Sequence, residues 1–331
     1  MDWQQWMSRV GEAKAAFAKL INASPHEIAV LGSVSDAASS VASAMDFSGK
    51  RNKVVTTEID FPTIGHVWLA QQKRGARVEF IPTENHIVPI DYYDRYVDET
   101  TRITSIPHVS YYNGFKQDLN TISAIVHAKG SYLFIDAYQS AGNVAIDVKA
   151  MDIDFLAAGT QKYLIGIPGI SFLYVRGDLA QQLEPATTGW FGRVNPFEFD
   201  VKKLDFAAGA RRFDTGTPAI VNAYAAHAAI GMINEIGVPR IEGYLNQLSS
   251  AAVSYAKSKG LKVMSPEDLT IKASNTAIQV PNASEMERLM KEQDIIVSAR
   301  NDVIRIAPHF YNTEEEVVKA IDTLVYLQNN K

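Results

Sequence analysis

Two residues in the middle of this chain have the types and the spacing to do chemistry together. An apolar run from Tyr132 to Ile135 follows Gly130 and ends in Asp136, and a second short run, Phe155 to Ala158, ends in Gly159-Thr160-Gln161-Lys162. The first reads as a buried parallel strand, and open α/β sheets hold ligands beyond the carboxyl ends of such strands. A carboxylate and a lysine at neighbouring strand ends make either a site or a salt bridge. Spacing alone favours the plainer reading, because an Asp after a strand is ordinarily a turn or cap residue and a Lys is ordinarily solvated.

Two further patterns could serve such a site. Gly32-Ser33-Val34-Ser35-Asp36 leads into a helix of small residues. A turn of this kind at a helix N-terminus presents unpaired N–H groups, hydroxyls and the positive end of the helix dipole, which suits a phosphate monoester. An ordinary capped helix is the alternative. Near the other end of the chain, Arg305 interrupts the apolar strand Val303 to Ala307. An arginine there calls for an anion, and its fork matches a carboxylate in bidentate fashion, unless one of the 37 acidic residues pairs with it internally.

The elements that must position these residues follow from periodicity. Trp3, Trp6, Val10, Ala13, Phe17 and Leu20 recur at helical steps and give one apolar face, which core packing explains. Ser24-Pro25-His26-Glu27 has the form of a capping box with Pro at the first helical position, ahead of a strand at Ile28 to Leu31. Strands follow at Lys53 to Thr57, Val78 to Ile81 and Thr104 to Val109, with helices at Ile64 to Arg74 and about Leu119 to Lys129. This alternation predicts an α/β fold with a mostly parallel sheet flanked by helices on both faces. Past the run Ala219 to Ile236 come an amphipathic helix, a strand at Thr276 to Val280 and a helix at Ser284 to Glu292. Strands at Ile295 to Ser298 and Val303 to Ala307 and a helix from Thr313 close the chain. The expectation is a large domain over residues 1–235 and a smaller C-terminal α+β domain over 236–331.

Composition narrows the classes of function. A chain of 331 residues with 47% hydrophobic content can bury a substantial core. The net charge of −5, with Lys and Arg scattered, offers no basic face to nucleic acid and no polybasic segment to a membrane surface. A small-molecule substrate is therefore expected. The absence of a long apolar run and the amphipathic start predict a cytoplasmic protein. Without cysteine there is no disulfide, thiolate metal site or thiol nucleophile, and nothing to carry a persulfide. No metal site is expected.

The wording around Asp136 and Lys162 carries more than their spacing. Asp136-Ala-Tyr-Gln139-Ser-Ala-Gly142, Ile146-Asp147-Val148, Asp154-Phe155, Lys162 and Gly166-Ile-Pro168-Gly169-Ile-Ser-Phe-Leu-Tyr174-Val175 stand in a specific order and spacing. Together they resemble the class V aminotransferase family of pyridoxal-phosphate enzymes, of fold type I. That family includes cysteine desulfurases, kynureninases, isopenicillin N epimerase-like proteins and several aminotransferases. The resemblance implies that Lys162 forms a Schiff base with pyridoxal 5′-phosphate and then moves the α-proton of an amino-acid substrate, while Asp136 pairs with the pyridinium nitrogen. It places Ser33, Val34 and Ser35 at the cofactor phosphate and Gln139 at the ring hydroxyl. Phe61-Pro62-Thr63 is similar to kynureninase, which gives Phe61 the stacking position on the pyridine ring. Gly189-Trp190 is similar to it too, which gives Trp190 a share of the phosphate. Arg211 to Pro218 resembles a turn that crosses a dimer, so Thr217 of one subunit would reach the phosphate held by the other in a homodimer with shared active sites. Arg305 falls in the segment whose arginine binds the substrate α-carboxylate.

The sequence also departs from the pattern. Tyr111 stands where desulfurases place an Asn near the ring oxygen, and Gln161 stands where relatives carry His or Tyr before the lysine. Family members have a further N-terminal segment, with an Asn-Asn-Ala-like turn near the substrate carboxylate, ahead of the helix in which residue 1 lies. Three readings follow: an aminotransferase, which leads; a kynureninase-like or C–S lyase; and a non-catalytic cofactor-binding relative. The lack of cysteine sets aside a cysteine desulfurase, and Phe61 cannot be the second base an epimerase wants.

Overall fold

The apolar runs become one sheet in the computed structural model, which describes residues 2–329. Its strands are β1 (Ile28–Leu31), β2 (Lys53–Thr57), β3 (Arg77–Ile81), β4 (Thr101–Pro107), β5 (Tyr132–Asp136), β6 (Phe155–Gly159) and β7 (Ser171–Val175). Their order is β1-β7-β6-β5-β4-β2-β3, and all neighbours are parallel except where β7 meets β1 and β6. The helices in this part are α1 (Trp3–Leu20), α2 (Val34–Ser43), α3 (Pro62–Ala70), α4 (Ile90–Tyr96), α5 (Leu119–Ala128), α6 (Gly177–Gln182), α7 (Ile220–Ile236) and α8 (Val238–Ser258).

Alternate residues of each central strand enter different cores, as a two-residue side-chain period requires. Leu133 and Ile135 of β5, Leu156 of β6 and Phe172 of β7 pack with Phe17 of α1 and Ile230 of α7. Phe17 and Phe172 lie stacked with centroids 4.7 Å apart. On the opposite face Phe134, Phe155 and Leu173 pack with Val41 of α2 and Trp68 of α3. Burial on both faces explains why these strands read as unbroken apolar runs.

The remaining elements are a small antiparallel sheet, β8 (Thr276–Gln279), β9 (Ser298–Arg300) and β10 (Val303–Ile306) in the order β8-β10-β9, with helices α9 (Ala283–Lys291) and α10 (Glu314–Asn329). Ile304 and Ile306 share a core with Met286 and Leu324, whereas Val303 packs with Tyr112, beyond the end of β4.

Most strand limits fall within one residue of expectation, and two strands differ by more. The strand expected at Thr104 to Val109 starts at Thr101 and stops at Pro107; the next residue, His108, instead donates its N–H to the Asp136 carbonyl at 2.9 Å. The strand expected at Ile295 to Ser298 forms at Ser298–Arg300. There a two-residue turn with Asn301 in the left-handed region, φ 49°, sets the pairing of Arg300 with Val303. Ile295 and Val297 are half-buried against this core without pairing.

Candidate active site

Four strand ends meet on one edge of the large sheet. Asp136, the last residue of β5, lies between Pro107 of β4 and Ala157 of β6, and Lys162 follows the end of β6 by three residues. Past β1 the chain enters α2 through Ser33, whose side chain caps the helix by accepting the Asp36 N–H at 3.1 Å. Past β2 it reaches Phe61, the residue before Pro62 at the head of α3. Ser33, Val34, Ser35, Phe61, Asp136, Gln139 and Lys162 thereby line a single cavity of about 470 Å³. A second cavity of about 390 Å³ shares Gln139, Gln161, Lys162 and Arg300 with the first and is walled by Arg305, Tyr163 and His309.

Trp190 and Thr217 are not brought to either cavity within one chain. The Trp190 ring sits edge-on to Trp3 at 5.4 Å and near Phe197 and Phe199, and Thr217 is exposed.

The loop that carries the lysine is tightly bound. The Gly166 N–H donates to the Thr160 carbonyl at 2.8 Å, and the Thr160 hydroxyl donates to the Ile167 carbonyl at 2.6 Å. Between them Ile165 is held at φ 47°, a conformation that opposes a β-branched side chain by roughly 1–3 kcal/mol. Rigid loop geometry of this kind fixes where the amine can reach.

Charge in the cavity is unbalanced in a telling way. Asp136 is buried, accepts the Tyr138 N–H at 2.8 Å, and forms no ion pair within 4 Å among the described residues. Burial raises its pKa, opposed by that hydrogen bond and by the Lys162 charge. Asp60 lines the same cavity; one of its oxygens accepts the Phe61 N–H at 2.8 Å, and the other is buried with no partner. Its pKa rises well above the usual carboxylate range, through burial first and the Asp136 charge second. Lys162 Nζ lies 4.4 Å from the Tyr138 ring centre and 5.9 Å from that of Phe61. Burial pushes its pKa down to about 8, partly offset by Asp136 and reinforced by Arg305 and Arg300.

These residues fit a pyridoxal phosphate. A buried carboxylate without a counterion suits a protonated ring nitrogen, an amine without an acceptor suits an aldehyde, and the N–H groups heading α2 suit a phosphate. The Phe61 ring, 45% exposed and edge-on to Tyr111 at 5.4 Å, is free to cover a planar group. No group of three His, Cys, Asp or Glu able to hold a metal occurs among the described residues, and no described helix is long and apolar enough to cross a membrane.

Sequence reasoning missed Asp60, Tyr138 and Arg300. Asp60 stands three residues past β2 and Tyr138 two past Asp136, so proximity to a strand end was the available signal. Tyr138 could not lie there but for Gly159, where an added Cβ would come within 2.5 Å of the ring.

Known proteins resemble this chain in sequence and in fold. The uncharacterised aminotransferase YcbU of Bacillus subtilis (strain 168) is 44% identical over 98% of this chain and 85% of its own length. The kynureninase of Deinococcus radiodurans is 28% identical over 91% of this chain and 74% of its own. The apo structure of a cysteine desulfurase from Thermococcus onnurineus NA1 shares the fold, with a TM-score of 0.90 and 24% identity over 99% of this chain and 86% of that one. With residues 3–320 matching the family Aminotransferase class-V, the chain belongs to the class V aminotransferase family.

Proposed function

We propose that this protein is a pyridoxal 5′-phosphate-dependent aminotransferase acting on an α-amino acid. The observation that carries the reading is the enclosure of Lys162 in one cavity with the uncompensated Asp136, beside Phe61 and the start of α2. When bound, the cofactor supplies an electron sink for the bond broken at the substrate α-carbon. Asp136 keeps the proton on the ring nitrogen, and Gln139 donates to the ring hydroxyl oxygen. The N–H groups of Val34 and Ser35, with the nearby hydroxyls of Ser33 and Ser35, hold the phosphate. Lys162, with its pKa near 8, both takes and returns the α-proton near neutral pH. Arg305 holds the α-carboxylate. One lysine and one carboxylate clamp are all that transamination asks of the protein.

The working unit is a homodimer in the cytoplasm, in which Trp190 and Thr217, both outside the cavity of their own chain, complete the phosphate site across the subunit boundary. Its large domain spans residues 1–235 and its small domain 236–331. A kynureninase-type lyase is the second reading, supported by Phe61-Pro62-Thr63 heading α3 and by the D. radiodurans relative. The desulfurase reaction lacks its nucleophile, because the sequence has no cysteine.

The test is to load the protein with cofactor, add single amino acids without a keto acid, and identify products. One keto acid per site with formation of pyridoxamine phosphate is the expected outcome; continuous release of alanine, ammonia or a sulfur fragment would establish the lyase. Lys162→Ala should leave no cofactor covalently attached after borohydride reduction, read by intact mass.

A further inference from the structure

Two arginines face the substrate end of the site, and only one has a task. Arg305 lies opposite Ser298, and Arg300 lies opposite Val303. Arg300 and Arg305 are thus diagonal neighbours on one face of the β9–β10 pair, a relation that sets residues roughly 7–8 Å apart, within reach of long side chains. Both line the cavity beside Lys162, and Arg300 also lines the larger one.

Neither guanidinium has a carboxylate within 4 Å among the described residues. Arg305 donates one N–H to the Tyr111 carbonyl, while its Nε is buried without a partner. Arg300 donates only to the carbonyl of its neighbour Ala299. Burial and the Arg300 charge push Arg305 down to about 10, which still leaves it a cation at neutral pH. Arg305 is half-buried and Arg300 exposed, so the wall presents two positive charges, one of them reachable from solvent, that together favour an anionic ligand.

Taking Arg305 as the α-carboxylate clamp of the proposed aminotransferase, on which this step rests, we propose that Arg300 binds a second anion on the substrate side chain. The substrate class is then an α-amino acid carrying a side-chain carboxylate or phosphate ester, with the two negative groups a few carbons apart. One arginine would serve a neutral amino acid; a second on the same face suits a ligand with two anionic ends.

The test uses the cofactor-loaded protein. Succinate and propionate, acids that cannot react, are titrated by calorimetry into the wild type, Arg300→Gln, Arg300→Lys and Arg305→Gln. Half-reaction rates are measured with aspartate, glutamate, O-phosphoserine, alanine and serine. The wild type should bind succinate about tenfold or more tighter than propionate. Arg300→Gln should close that gap, Arg300→Lys should restore part of it, and Arg305→Gln should weaken both acids. The acidic amino acids should react faster than alanine and serine; aspartate or glutamate ahead of O-phosphoserine identifies the second anion as carboxylate, and the reverse order as phosphate. The proposal is overturned if succinate has no advantage, if Arg300→Gln weakens both acids equally, or if its main effect is loss of cofactor. A succinate preference that depends on Arg300 without transamination of any amino acid would sustain the subsite and remove the aminotransferase reading. Transamination without that preference would do the opposite.

Discussion

At the scale of single residues, the site is a set of titration problems solved by burial. The Lys162 amine reacts only when neutral, and its pKa is lowered to about 8. The rate at which cofactor-free protein captures pyridoxal phosphate should therefore climb from pH 7 to 9 and then level off, whereas a solvated lysine would keep gaining toward roughly pH 10.4. Stopped-flow absorbance measures this directly. Asp60 presents the reverse sign. Its folded pKa is raised, so the stability it contributes is complete below the unfolded value and is lost as pH rises toward the folded one. Asp60→Asn keeps a neutral group of the same shape, and in cofactor-free protein its melting temperature should gain on the wild type as pH is raised from 5 to 8. A constant difference across that range would mean that Asp60 is ionised. Asp136 and Lys162 could be read from their strand ends; for Asp60 the strand end marked its place but not its raised pKa. Its raised pKa comes from burial first and then from Asp136, a residue 76 positions away (136 − 60), and both arise only when the sheet folds.

Elements were legible wherever burial acted on both sides. β1 and β2 fall at the residues that their apolar pattern predicts, and β5 and β6 extend one residue beyond it. Legibility failed at β9, because there a turn rather than a hydrophobic pattern decides which residues pair; Ile295 and Val297 look like a strand but pack as coil. One internal tie is polar where pattern would ask for an apolar side chain. Lys272, fully buried, bonds Ser249 of α8, its neighbour's carbonyl at 3.0 Å and Thr276 of β8 at 3.1 Å. Burial lowers its pKa to about 7. Between that value and roughly 10.4 the unfolded chain holds more protons, so the wild type gains stability as pH rises through this window and loses it as pH falls. The melting temperature of Lys272→Met relative to wild type should accordingly be highest near pH 7 and shrink toward pH 10. A difference independent of pH would show that Lys272 keeps its proton throughout.

At the scale of the whole molecule, the residues left outside the cavity are the half-buried Trp190 and the exposed Thr217. Trp190 and Thr217 lie near a surface where Phe199, Val201, Leu204 and Val221 are all exposed, an apolar display that favours a second copy of the chain. If Thr217 serves the neighbouring subunit, then Lys162→Ala and Thr217→Glu chains, each inactive alone, should complement when refolded together. Recovery should approach about one quarter of wild-type activity, since half of randomly paired dimers are mixed and each has one intact site. No recovery would place each site within one chain. The packing of α1 has a consequence during synthesis. Its Phe17 stacks on Phe172, its Lys14 bonds Asp214 at 2.7 Å, and it shares a core with Ile230 of α7. This helix thus has its partners some 150 to 200 residues downstream. At about 5–20 residues per second its apolar face waits on the order of 10–40 s for cover. Overexpression at lowered temperature, which slows aggregation of such waiting chains, or extra chaperone that shields Trp3, Trp6 and Phe17, should raise the soluble yield of this protein more than that of one whose helices meet their partners locally.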